Sequence, residues 1–549
     1  MRKIFFVTAL ILIASCSSPL RILEFTAPQR VEEGQEITFY WQVENAEKVA
    51  IEGVKENLPL SGMLSIRADK TRTYTLISEA KGKKITKDLV VEVYPKLVLE
   101  RPKIKPEIHN QETNYLKGLV DYTQTTDNDW RFSIFGFDRS NYPKSMGIYV
   151  SVKDKYGNFI ANLAPPYGEE STYKEYFKKV IESIGGNVRE ITDFTVTEHH
   201  DYIPQNYNFC LVLDHSGSMA GEPIQKLENS VRKFFNLIKD DDNVAVVKYD
   251  ARLHLESPLA PKKIAMKNYI YDQLQRFGWA TALIAGASFG INSLSEAEKN
   301  KIMILFTDGL ENCSFISSFI FSDLKLAFKP SHLIFHARET NTKIYTVGFG
   351  GVDEALLKKI ATLTDGKYYY TNQGKEIEDI FEELPRLFHN YYYIAYSPSK
   401  SEGPYEIAIE GVNKAGRKIN VKGETYVGDK INIEEPQLPP QVVAMFAFNS
   451  DKLDEGYIKF IQPFANYLKS NPNATIEVIG HTDSRGNEAV NKLLSLRRAQ
   501  QVKRELVKNG IPENRIKAIG MGFSRPMHNP EYAEWQAQEN RRVEIVIKD

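Results

Sequence analysis

The chain has 549 residues, enough for about three or four domains at roughly 150 residues each. Lys plus Arg (70) nearly balance Asp plus Glu (71), a formal net charge of −1, which excludes the strongly basic field of a nucleic-acid binder, so no nucleic-acid partner is expected. Apolar residues at 42% exclude wholesale disorder, and three cysteines exclude a disulfide-stapled scaffold or a Cys-rich zinc module.

Arg2 and Lys3 precede an apolar run over 4–13. A helix that spans a bilayer needs about 20 apolar residues, so this run reads as a secretion signal. It ends in Ile13, Ala14, Ser15 and Cys16, which resembles the bacterial lipobox. The resemblance implies removal of 1–15, acylation of Cys16, and a membrane anchor made stable by several chains. Ser17, not Asp, follows, which by the same resemblance implies the outer membrane of a Gram-negative-type envelope. No later stretch is long and apolar enough to span, so the rest is expected to be soluble.

Residues 20–95 alternate apolar and polar in short runs. Ile37, Phe39, Trp41 and Val43 fall on one face at strand period two, and 74–77 and 89–93 also read as strands, punctuated by Gly34, Gly53 and Gly62. The pattern predicts a small β-sandwich. Gly34 to Trp41, with Thr73-Tyr74-Thr75-Leu76, resembles bacterial immunoglobulin-like modules, which implies a spacer. Pro95, Pro102 and Pro106 mark a linker, and 96–145 is otherwise unassigned. Residues 146–206 are strand-rich, as are 391–429. The two segments are expected to pair into one sandwich from which the middle of the chain emerges.

Over 207–390 the pattern changes. Continuous apolar strands at 208–213, 244–247, 302–306 and 344–348 alternate with amphipathic helices, one near 222–238. Such runs indicate a parallel, doubly wound sheet covered on both faces. The first strand runs into Asp214-His215-Ser216-Gly217-Ser218, and the third ends in Thr307-Asp308-Gly309. Gly278-Trp279-Ala280-Thr281 lies between them, and Val347-Gly348-Phe349-Gly350 closes the set. Alone, D-x-S-x-S is also a turn motif. Together, in this order at the carboxyl ends of strands, the motifs resemble the metal-ion-dependent adhesion site of von Willebrand factor A domains. That family often has two glycines before the threonine, where this chain has Trp279 and Ala280.

The resemblance implies a bound Mg²⁺, with Mn²⁺ or Ca²⁺ as alternatives. Ser216 and Ser218 would bind it directly, Thr281 directly or through water, and Asp214 and Asp308 often through water. A hard cation of this kind takes about six oxygens. Few charged ligands would touch it, leaving an electrophilic position for a carboxylate from an unidentified protein partner. Cys210 and Cys313 could pair if close, although a buried Cys210 is the simpler expectation. Glu198-His199-His200-Asp201 reads as a solvated linker rather than a second metal site.

Residues 430–441 are polar and proline-rich, a linker. Residues 442–549 form a last αβ unit. A strand over 475–479 ends in Gly480-His481-Thr482-Asp483, followed by Asn491-Lys492-Leu493-Leu494-Ser495-Leu496-Arg497-Arg498-Ala499 and later Asn540-Arg541-Arg542-Val543. This series resembles the OmpA-like peptidoglycan-binding domain. The resemblance implies that Asp483 and Arg498 hold the peptidoglycan stem peptide, whose diaminopimelate presents an ammonium beside a carboxylate. Asn491 can add a hydrogen bond, and Asn449 is a weaker candidate at the rim. His481 reads as structural, and Arg541 and Arg542 as partners of nearby acids.

The expected fold is therefore multidomain. It has an N-terminal β-sandwich, an α/β von Willebrand factor A-like domain flanked by a second sandwich, and a C-terminal α+β OmpA-like domain. The expected protein is a lipoprotein on the periplasmic side of the outer membrane, tethering envelope layers or an envelope complex. A surface adhesin, or less readily a wall hydrolase, is the alternative. No Walker A loop, H-E-x-x-H or G-x-S-x-G motif occurs, so no catalytic residue is assigned and no enzyme is expected.

Overall fold

The computed structural model describes residues 19–27, 30–32, 36–94, 119–125, 129–200, 206–271, 278–428 and 438–548. The signal segment, Cys16, Gly34, Asp201 and the prolines at 95, 102, 106 and 436 lie outside them. The chain divides into two compact units, one of 1–106 with 270–274, the other of 107–269 with 275–549. Among the described residues no helix is long and apolar enough to cross a membrane.

In the first unit, strands Arg21–Thr26, Glu36–Glu44 and Ser61–Arg67 form one antiparallel sheet. Arg30–Glu32, Lys83–Tyr94, Arg72–Ala80 and Lys48–Ile51 form another. The alternation explains the core: Ile37, Phe39, Trp41 and Val43 all turn inward to meet Tyr74, Leu76 and Val91. Trp41 Nε1, the polar atom this packing would strand, donates to Pro59 O at 2.8 Å.

The second unit contains a second pair of sheets, a central α/β layer and a C-terminal α+β layer. Met146–Lys153 pairs with Tyr391–Tyr396, which pairs with Phe194–His199. In the companion sheet Phe177–Ile184 pairs with Gly403–Val412. Strands from before and after the central layer thus share both sheets. Residues 119–145 are not all linker, since Leu119–Asp121 and Arg131–Asp138 join the same structure. The alternation of Arg131–Asp138 is hidden by a register shift opposite Tyr149 and Val150. It leaves Phe135 facing the central layer's core while Phe132, Ile134 and Phe137 face the sandwich's own. Glu198 and His200 are buried rather than solvated. The Glu198 carboxylate accepts from the N–H groups of Asn162 (2.7 Å) and Ala164 (3.1 Å) and pairs with His200.

The central sheet runs in the order Leu253–Pro261, Asn243–Tyr249, Asn208–Asp214, Lys301–Thr307, Thr342–Phe349, Tyr368–Thr371. It is parallel except for its first pair. Phe209, Leu211 and Leu213 enter one face's core with Phe234 of helix Glu222–Leu237 and Phe381 of helix Gly374–His389. Cys210 and Val212 enter the other with Ile284 and Ala287 of helix Leu283–Ser293. Burial on both faces is why these strands are continuously apolar. Cys210 and Cys313 are buried free thiols.

The last layer is a four-stranded sheet, Gln441–Met445, Arg542–Lys548, Thr475–Gly480, Ile516–Gly520, with helices Ile458–Ser470 and Glu488–Lys508. It does not swing free on a spacer. Gln441, expected as the linker's last residue, is a buried strand residue whose Oε1 accepts from Phe315 N at 3.2 Å. Val442 N donates to Asn312 O at 3.0 Å, and the Phe315 ring lies 4.9 Å from that of Phe464. The central and C-terminal cores are continuous across this seam.

Candidate functional site

Two constellations stand at strand ends, one on each side of that seam. In the first, the strand Asn208–Asp214 delivers Asp214 fully buried. Its Oδ1 accepts from Ser216 N at 2.8 Å and its Oδ2 from Thr307 Oγ1 at 2.7 Å. These bonds hold the loop so that the Ser216 and Ser218 hydroxyls lie 3.1 Å apart. Ser218 Oγ donates to Asp308 Oδ1 at 2.7 Å. Thr281 Oγ1 lies 3.1 Å from where a β-carbon on Gly309 would stand, and Asn312 Oδ1 fixes the Thr281 N–H at 2.8 Å. The segment before Thr281 is joined to the loop by a parallel bridge between Ser216 and Gly278. Trp279, where the family often has glycine, turns its ring onto Tyr457 and Phe460 of the C-terminal layer, at 5.6 and 4.8 Å.

The donors are all oxygens, three hydroxyls and two carboxylates, a set suited to a hard divalent cation. Among the described residues no cluster of three or more His, Cys, Asp and Glu has metal-holding geometry, and here three of the five donors are hydroxyls. Burial raises the pKa of both acids. Asp308 is pushed up further by the charge of Asp214 and then by that of Glu539. A cation would relieve this crowding of negative charge. Glu539, which has no counterpart in the sequence motifs, comes from the C-terminal layer. It lines one cavity of about 1190 Å³ together with Ser216, Ser218, Thr281 and Asp308.

The second constellation surrounds Asp483, just beyond the strand Thr475–Gly480. Its Oδ2 accepts from Arg541 Nη1 at 2.8 Å and from Arg485 Nη2 at 2.6 Å and Nε at 3.1 Å. Burial opposes ionisation, but these two guanidinium groups hold the carboxyl below its ordinary value. Arg498 does not bond Asp483. It is fully buried, and its Nε, Nη1 and Nη2 donate to the carbonyls of Ser450 (2.8 Å), His481 (2.8 Å) and Ala447 (3.1 Å). Burial, then the nearby Arg541 charge, lower its pKa to about 10. Asn491 is a brace, donating to Arg485 O at 2.9 Å, while Asn449 is exposed in a left-handed conformation at φ 51°.

Arg485 also stacks on the exposed Phe448 ring at 4.3 Å and reaches Glu534, which pairs with Arg541 at 2.9 Å. Arg541 is thus a second, buried partner of Asp483 beside Arg485, although the sequence presents it only as one of two adjacent arginines. Its place in the Asn-Arg-Arg-Val run was the available signal. His481 is buried beside Glu544 at 3.3 Å, a structural position.

Residues 208–383 match the von Willebrand factor type A domain, and 445–541 match the OmpA family. The chain therefore carries one domain of each kind. It is similar to the peptidoglycan-associated lipoprotein of Legionella pneumophila, 34% identical over 112 residues, covering 20% of this chain and 63% of that protein. It is similar to the outer membrane porin F of Pseudomonas fluorescens, 42% identical over 88 residues, covering 16% and 27%. Among solved structures it is similar to the peptidoglycan-associated lipoprotein from Burkholderia pseudomallei, at 32% identity and TM-score 0.19, covering 19% of this chain and 88% of that one. The chain thus spans less than two thirds of the length of these curated relatives.

Proposed function

From a chain that joins a von Willebrand factor type A domain to an OmpA-family domain, we propose an outer-membrane lipoprotein, anchored through Cys16 on the periplasmic side, that binds peptidoglycan without covalent attachment. The observation that carries this reading is one buried carboxylate, Asp483, gathered among the guanidinium groups of Arg485, Arg541 and Arg498. A stem-peptide diamino acid offers an ammonium and a carboxylate side by side. Asp483 uses Oδ2 for all its hydrogen bonds among the described residues, which leaves Oδ1 for the ammonium. The surplus of guanidinium N–H groups serves the carboxylate, and such charge-assisted bonds are the strong ones. The relatives named peptidoglycan-associated lipoproteins support the same reading.

The A domain adds a divalent-cation site of Asp214, Ser216, Ser218, Thr281 and Asp308, with Mg²⁺ the favoured ion and Mn²⁺ or Ca²⁺ alternatives. When bound, the cation supplies an electrophilic position for a carboxylate. The protein's residues hold the hydroxyls in place and keep the carboxyls close. The role is recognition rather than catalysis. Co-sedimentation with purified sacculi tests the wall claim. Asp483→Ala should lower retention at least about tenfold, the loss expected for one charge-assisted contact worth about 1.5–3 kcal/mol. Retention at the wild-type level would remove the pocket.

A further inference from the structure

The side chain of Glu539 starts in the OmpA-family domain and ends in the other domain's metal loop. It belongs to helix Glu534–Asn540 and is 8% exposed. Its Oε1 lies 2.0 Å from the point a β-carbon on Gly217 would occupy, between Ser216 and Ser218. Only a residue without a side chain leaves room there for the carboxylate. Oε2 is held by His528 Nε2 at 2.6 Å, so the carboxyl is aimed rather than free. Trp279 against Tyr457 and Phe460 keeps the two domains apposed at this end of the sheet. Glu539 lines the same cavity as Ser216, Ser218, Thr281 and Asp308, and acids brought toward one another in this way are costly to bury unless a cation joins them.

We propose that Glu539 is the carboxylate that completes the divalent-cation site, so that the metal clamps the OmpA-family domain to the A domain of the same chain. The position that would otherwise receive a partner protein's acid is thereby filled from within. A partner must then displace Glu539 to bind. This inference rests on the cation site proposed above.

The test uses the full chain in detergent, with Mn²⁺ as the probe. Binding is followed by calorimetry and electron paramagnetic resonance, and the seam by hydrogen exchange of peptides over 534–540. The wild type should bind Mn²⁺ and gain exchange protection over 534–540. Glu539→Gln, which retains a hydrogen-bond acceptor for His528, should bind at least about tenfold more weakly and gain no protection. Gly217→Ala, which alters neither carboxylate but occupies the space of Oε1, should also lose the metal-linked protection. Asp214→Ala should abolish binding. If the wild type binds no Mn²⁺, the cation site and the clamp both fall. If the wild type binds and Glu539→Gln binds equally well with the same protection, the clamp alone falls and the cation site stands.

Discussion

Asp308 and Asp483 are the same kind of side chain at comparable places, each just past a central strand, yet their surroundings drive them in opposite directions. Asp308 shares its site with Asp214 and Glu539, and its pKa rises well above the carboxylate range. Asp483 shares its site with Arg485 and Arg541, and its pKa falls. At the D-x-S-x-S loop carboxylates crowd one another, whereas around Asp483 the carboxylate is paired with guanidinium groups. The first should respond to ions, the second to a zwitterion.

The sharpest way to break the wall side of this contrast is Arg498→Ala. Three backbone carbonyls would lose a charged donor inside the domain. The expected cost is about 3 kcal/mol or more, read as a lowered urea midpoint for hydrogen exchange in the OmpA-family domain. An unchanged midpoint would show that Arg498 is not the strut described. Next in size is Asp308→Asn. A raised folded-state pKa means that the metal-free fold loses stability as pH rises above the unfolded carboxyl value of about 4. In chelator at pH 8 the variant should therefore melt a few °C higher than the wild type, for roughly 1 kcal/mol. Excess Mn²⁺ should reverse the order. Equal melting with and without Mn²⁺ would remove the charge crowding from the account.

The smallest expected effect concerns Glu544. Burial would raise its pKa, but the His481 hydrogen bond and the Arg542 charge bring it down to about 2. Its stabilisation is fully present above the unfolded carboxyl value of about 4.3 and is lost as pH falls toward the folded value. Glu544→Gln should thus be less stable than wild type at pH 7, by about 0.5 kcal/mol, with the gap closing below pH ~4. A gap independent of pH would mean packing, not charge, sets it.

Much of this could be read in the sequence because it is local. Strand period two gave Ile37, Phe39 and Trp41 their common face, and continuous apolar runs marked the parallel sheet. The D-x-S-x-S loop was visible because Asp214 bonds the backbone only two residues on. What escaped is non-local or irregular. The alternation of Arg131–Asp138 is broken where Phe135 leaves one core for another. Glu198 looked solvated because nothing nearby in sequence announces the Asn162 and Ala164 amides that receive it. Asp483 was expected to act with Arg498, and the direct hydrogen bonds to its carboxylate come from Arg485 and from Arg541, 58 residues on, which nothing in the local sequence announces. Glu539 meets the metal loop only because two domains close on each other, and no motif records that.

The antiparallel ladder that sets His199 opposite Tyr391 has a mechanical consequence. The A domain leaves the sandwich and returns to it at neighbouring points on two bonded strands, so it forms a closed side loop. Tension carried along the chain through the sandwich would pass the side loop by for as long as that ladder holds. The A domain would stay folded under strain while its seam with the OmpA-family domain opened first.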